Sequence, residues 1–391
     1  MLAAAMLEVL QPHHLWLLMI ALAVTIVTTP IVRAVAISRR IYDLPDQGLK
    51  PHEKPIPYLG GVAIYLGWAA ALLAAPWVVP VSRFHADSQS ITGYILAAGT
   101  LMMLTGLVDD LYDLRPKTKL ICQLVVAGIL IWGGIGRNVV LVFTGWTGID
   151  LPDWLHLSAS FLITVFIVMG AGNATNLIDG LDGLCSGVTG ILSIGFVIIA
   201  AHLAYSEFSG QSPPSPSAAV APVRLIVALA LMGACLGFLR YNFNPAQVFM
   251  GDAGSLLLGF NAAVLLLLFA QKGIPRWFMG ACMVFSLPVF DTALAITRRW
   301  LNGRPIFKGD RSHFYDQLRD RGYSVRQTVM ICYALTAALA GIGCLVLVVR
   351  TRYAILMFLG VAALMVYAVV RMGMLRMEPP RPSGAPRSAA P

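Results

Sequence analysis

Charge is what this chain has least of. Only 12% of its 391 residues are Asp, Glu, Lys or Arg, against 58% hydrophobic residues and a mean hydropathy of +0.76. That much apolar surface cannot be hidden in one soluble core, which excludes an ordinary water-soluble domain. Cysteine is scarce too: six residues lie within or beside apolar runs with no CxxC pair, so neither a disulfide framework nor a zinc site is indicated. No soluble domain and no convincing internal repeat interrupts the chain. The first apolar run has no basic residue before it and carries Pro30 near its end. It therefore lacks the cationic start of a cleaved signal peptide and is expected to be retained.

What is present is a series of eleven apolar runs, at 15–32, 59–79, 91–108, 120–135, 157–171, 187–204, 223–239, 254–270, 277–296, 328–349 and 354–370. Each is close to the roughly 20 residues a helix needs to cross a bilayer. The polar connections then fall alternately on two sides, and 21 of the 28 Lys and Arg residues fall on one of them. That side is expected to be cytoplasmic, leaving the N-terminus outside and the C-terminus inside. The expected fold is an all-α integral membrane protein of about eleven transmembrane helices, with the active site in cytoplasmic loops. One polytopic domain should cover 1–375, a flexible outside loop 209–222, and a disordered cytoplasmic tail 376–391.

The few carboxylates are placed unevenly. Asp109 and Asp110 end the third run in GLVDDLYDLRPKTKL; Asp179 and Asp182, in NATNLIDGLDGL, follow the fifth; Asp252, in FNPAQVFMGDAGS, follows the seventh. All five emerge on the basic side, together with His313. Unit charges 4 Å apart repel by about 4 kcal/mol at an effective dielectric near 20, so five converging carboxylates call for cations. Oxygen ligands from Asp and Asn suit Mg²⁺, or Mn²⁺. Lys117, Lys119 and the basic loop 298–326 point to phosphate groups. Duller readings exist for each residue alone. An Asp just past a span is an ordinary helix end, Gly180 and Gly183 can simply turn the chain, and Asn173 and Asn176 can be interhelical partners. Phe249 can face lipid, and Asp291, inside the ninth run, is expected to pair with Arg298 or another base.

Five stretches, in order, carry a specific resemblance: DLPDQGLKPHEKPIPYLGG, GLVDDLYDLRPKTKLICQ, NATNLIDGLDGL, FNPAQVFMGDAGSLLLG and VFDTALAITRRWLNGRPIFKGDRSHF. The chain resembles the polyprenyl-phosphate N-acetylhexosamine-1-phosphate transferases, bacterial inner-membrane enzymes that start cell-envelope glycans. The resemblance implies transfer of a sugar 1-phosphate from a UDP-sugar to undecaprenyl phosphate, with release of UMP. It implies Asp252 and Asn176 as metal ligands, Asp109, Asp110, Asp179 and His313 in the catalytic group, and Asp109 as the residue that deprotonates or orients the lipid phosphate. It places Asn173, Asp182 and Phe249 in the nucleotide pocket, with Lys54 at its flank, Lys119 on a phosphate and Arg311 on substrate. The expected partners are the UDP-sugar, the polyprenyl phosphate and the bilayer, with a homodimer as a candidate assembly and no nucleic acid.

Two departures stand out. Relatives often carry His-x-His-His in the last cytoplasmic loop, whereas SHFYDQL keeps His313 and has Tyr315 and Asp316 at the later two positions. The early motif has lost its usual Arg, leaving Lys50 and Lys54. HEKPIPYLGGVAIYLG and RDRGYSVRQ favour the N-acetylglucosamine-1-phosphate branch over the phospho-N-acetylmuramoyl-pentapeptide branch. A secondary transporter or lipid flippase is the alternative of another class, for which ionisable groups near the bilayer midplane would be expected.

Overall fold

Each apolar run forms helix, and the polar and proline-bearing stretches between them set the ends. The computed structural model describes residues 11–44, 54–80, 84–145, 147–208, 219–305 and 313–375. Arg311, Lys50, the loop centred on Ser212 and the 376–391 segment lie outside them. In chain order the elements are α1 (Pro12–Ser38), β1 (Tyr42–Asp43), β2 (Ile56–Pro57), α2 (Gly60–Val78), α3 (Ala86–Tyr112), α4 (Pro116–Trp132) and α5 (Leu141–Thr144). They continue as α6 (Asp153–Leu177), α7 (Leu184–Phe208), α8 (Val220–Asn242), α9 (Gly251–Ala270), α10 (Pro275–Val284), α11 (Ser286–Leu301), α12 (Phe314–Asp320), α13 (Val325–Val346) and α14 (Thr351–Arg371). The two short strands pair antiparallel.

This is an all-α integral membrane protein that crosses the bilayer many times. Among the described residues nine helices are long and apolar enough to span, or ten if the bent pair α10 and α11 is one span. The sequence-based count of eleven is not reached, for two physical reasons. Helix α4 has 17 residues, a rise of about 25 Å at 1.5 Å per residue. Between α10 and α11 the axis bends by 72°. Pro288 lacks the N–H that would bond the carbonyl of Val284, and its ring crowds that carbonyl, so the helix breaks there. Pro30 in α1 also leaves a carbonyl free, that of Ile26, and the Tyr241 hydroxyl of α8 donates to it at 3.1 Å.

Helix α9 is the axis of the bundle: every residue of its apolar stretch from Ala253 to Ala270 is buried. Close approach to α3 depends on Gly106, where an added Cβ would collide with the backbone of Asp252 and Ala253. Small residues at helix contacts allow this approach. Gly106→Leu is expected to lower thermal stability by about 1–3 kcal/mol through overpacking. The check is the unfolding midpoint of detergent-solubilised protein, and an unchanged midpoint would show that α3 and α9 are not held at that distance.

Candidate active site

The close α3–α9 contact brings the end of one helix to the start of the other. Gly251 adopts φ +69°, a left-handed conformation open to glycine, and turns the chain into α9. The Asp110 carboxylate crosses from α3 and accepts the first N–H groups of α9, from Asp252 at 2.8 Å and Ala253 at 3.0 Å. A carboxylate suits those unpaired donors and the positive end of the helix dipole. Both oxygens of Asp110 are thus used to place Asp252, and its main-chain carbonyl accepts the Tyr58 hydroxyl at 2.6 Å.

Asp109, one residue earlier, is buried and accepts the Leu114 N–H at 2.8 Å. Its other oxygen pairs with Lys119, the third residue after Pro116 at the start of α4, and the same ammonium lies 3.3 Å from Asp252 Oδ2. Asp252 Oδ1 accepts the Asn176 amide at 2.7 Å, and that amide also donates to Ser255 at 3.0 Å. Four helices therefore meet in a continuous polar group at one end of the bundle: α3 gives Asp109, α4 Lys119, α6 Asn176, and α9 both Asp252 and Ser255.

Asp179 and Asp182 follow α6 in the turn to α7. Burial, and then the charges of Asp252, Asp110 and Asp182, push the Asp179 carboxyl up to about 8. Asp182 is spoken for by the loop after α8: its Oδ2 accepts the Asn244 amide and the Ala246 N–H, both at 2.9 Å. Phe249 enters mainly through its backbone, giving its N–H to Pro57 and accepting the Gly60 N–H at 2.9 Å. Asn173 is exposed and its amide bonds Met169 of its own helix, so no described contact joins it to the carboxylates. Lys54 is exposed as well.

Asp291 pairs with a base, as its place inside an apolar run predicts: its Oδ2 lies 2.8 Å from His313 Nδ1. Burial disfavours the imidazolium, yet the hydrogen bond and charge of Asp291, with Asp316 adding and Arg299 opposing, raise His313 above the usual histidine value. A raised value means that the pair stabilises the fold fully below the unfolded histidine value of about 6.5 and that this contribution is lost as pH rises through the folded value. The midpoint gap between wild type and His313→Gln should therefore narrow as pH is raised from 6 to 9. A gap that stays constant across that range would remove the ion pair.

Sequence reasoning missed Ser255, Asn242 and Asn244. Ser255 lies three residues after Asp252 and so on the same helix face, a spacing that could have been read. Asn242 accepts from Gly183 N–H and the Ser186 hydroxyl and donates to Val248. It stitches the DGLDGL turn to the FNPAQ loop, and nothing in its local sequence announces that pairing.

The family model described as glycosyl transferase family 4 matches residues 92–270, the stretch from α3 to α9. A Bacillus subtilis protein named probable undecaprenyl-phosphate N-acetylglucosaminyl 1-phosphate transferase is 32% identical over 317 residues, covering 81% of this chain and 80% of its own. A Mycolicibacterium smegmatis decaprenyl-phosphate N-acetylglucosaminephosphotransferase is 31% identical over 84% of this chain and 80% of its own. A Desulfitobacterium hafniense phospho-N-acetylmuramoyl-pentapeptide-transferase is 29% identical over 83% and 93%. With the matched region containing Asp109, Asp110, Lys119, Asn176, Asp179, Asp182 and Asp252, the chain belongs to glycosyl transferase family 4.

Proposed function

We propose that this protein transfers N-acetylglucosamine 1-phosphate, or a related N-acetylhexosamine 1-phosphate, from a UDP-sugar to undecaprenyl phosphate at the cytoplasmic face of a bacterial inner membrane. The observation that carries the reading is the Asp109–Lys119–Asp252–Asn176 group at one end of a membrane bundle, where a lipid phosphate and a cytosolic nucleotide can meet. In the reaction an oxygen of the lipid phosphate attacks the sugar-bearing phosphorus. The bond from that phosphorus to the bridging oxygen breaks, and UMP leaves with the electron pair. Asp109 orients the acceptor phosphate or takes its proton, and Lys119 neutralises charge on the diphosphate. Asp110 is a positioning residue, since both its oxygens hold the start of α9. Direct attack suits a site built for positioning and charge balance rather than for a covalent intermediate.

The residues fit a divalent cation. The Lys119 ammonium between Asp109 and Asp252 marks the space between those carboxylates as one for positive charge. Among the described residues no three His, Cys, Asp or Glu side chains form a ligand cluster. This suits Mg²⁺, which commonly binds one or two carboxylates and completes its shell with water and substrate phosphates. Asp252 and Asn176 would hold it, with Mn²⁺ as substitute, and it would supply charge neutralisation on the diphosphate.

The two relatives above named for N-acetylglucosamine are 32% and 31% identical, against 29% for the Desulfitobacterium hafniense phospho-N-acetylmuramoyl-pentapeptide-transferase. The Asp109, Asp110 and Asp252 carboxylates lie at the ends of α3 and α9 rather than on broken helices, which weighs against a transporter. The test is product analysis with a panel of UDP-sugars. UMP release only with undecaprenyl phosphate present, and fastest with UDP-N-acetylglucosamine, is expected; fastest turnover with the UDP-muramoyl-pentapeptide would select the other branch.

A further inference from the structure

At the start of α12 two side chains do mechanical work beside His313. Asp316 accepts the main-chain N–H of His313 at 3.2 Å at the start of α12. Tyr315 stacks its ring against the His313 imidazole, with centroids 5.5 Å apart and planes within 7°. The Tyr315 hydroxyl then reaches α6 and donates to the Leu177 carbonyl at 3.1 Å. Gly180 leaves room for it, since a Cβ there would collide with the Tyr315 ring and hydroxyl. From α11, Asp291 holds the same residue from its other side. One oxygen takes His313 Nδ1 and the other accepts the Phe314 N–H at 2.6 Å. Asp291 is 1% exposed and His313 5%, so water competes little for either bond.

We propose that Asp291 and Tyr315 are positioning residues that hold the His313 ring in one orientation, committing Nδ1 to Asp291 and leaving Nε2 for a phosphate or sugar oxygen of the substrate. A carboxylate on one ring nitrogen fixes the tautomer and raises the usefulness of the other. Stacking removes the remaining rotation, and the Leu177 bond ties the unit to the helix that carries Asn176. The inference rests on the transferase reading for its kinetic consequence, but not for the geometry of the ring.

The test joins a double-mutant cycle to ¹⁵N-histidine NMR of the full-length protein in micelles. Asp291→Asn, which keeps an acceptor for the Phe314 N–H, is expected to lower kcat by about 10–100-fold with KM little changed. In a His313→Ala background the same substitution should cost nothing further, and Tyr315→Ala should lose more activity than Tyr315→Phe, which keeps the stacking. Asp291→Glu should recover part of the loss. At a pH above the folded-state value of His313, its signal, identified by its disappearance in His313→Gln, should report a proton fixed on Nδ1 in the wild type and a mixture of tautomers in Asp291→Asn. Losses that multiply in the double variant, full activity of His313→Ala, or an unchanged tautomer in Asp291→Asn would each overturn the proposal. If the wild type turns over no UDP-sugar, the transferase reading fails while the NMR still decides the ring's positioning. Should Asp291→Asn not fold, the Tyr315 pair supplies both readouts, and an unchanged ring signal and rate in Tyr315→Ala would overturn the proposal.

Discussion

Asp252→Ala should lose about three orders of magnitude in turnover, the scale seen when one preorganised electrostatic group is removed, while the protein extracts and elutes like the wild type. The carboxylate takes the Asn176 amide on one oxygen and the Lys119 ammonium on the other, so its removal leaves the charge balance of the site undone. The helix start survives, because Asp110 binds the backbone N–H of residue 252 and not its side chain. Initial rates at saturating donor, alongside size-exclusion profiles, measure both halves of the expectation. Near-normal activity of the variant, or full activity of the wild type in excess EDTA, would remove Asp252 and the divalent ion from the account.

His313→Ala should lower turnover by roughly 10²–10⁴, the range of a positioned acid–base or polarising group. Restoring histidines by the double substitution Tyr315→His and Asp316→His has a different expected outcome. It removes the Asp316 bond to the His313 N–H, worth about 1 kcal/mol, and the hydroxyl bridge to Leu177, so the main result should be a lower unfolding midpoint. An unchanged midpoint accompanied by a changed UDP-sugar preference would show instead that these positions read the sugar.

Much of the bundle could be read from the sequence because the bilayer leaves the backbone few choices: an apolar run without water to bond its amides must close them internally as helix. The ends of spans were less legible. A 17-residue helix and a proline-broken one fall at the limit where length alone stops deciding. The convergence of Asp109, Asp252 and Asn176 followed from topology, since alternation of sides puts the ends of α3 and α6 and the start of α9 together. Which oxygen does what did not follow. Asp110 turns back to cap α9, Asp182 is held by the FNPAQ loop, and Asp291 selects His313, all of them contacts between residues far apart in the chain. Such pairings depend on the packing angle of helices, which no local pattern encodes. Tyr315 and Asp316 read in sequence as a departure from the resemblance, whereas in the structure Tyr315 stacks on His313 and Asp316 bonds its main-chain N–H.

The most direct measurement follows the phosphorus. Purified protein, undecaprenyl phosphate and Mg²⁺ are incubated with UDP-N-acetylglucosamine labelled with ³²P at the sugar-bearing phosphate. The account predicts that the label moves into the organic phase with the lipid and that unlabelled UMP accumulates in equal amount. Label remaining in the aqueous phase as UDP while sugar alone reaches the lipid, or no lipid-linked product with any UDP-sugar, would contradict it.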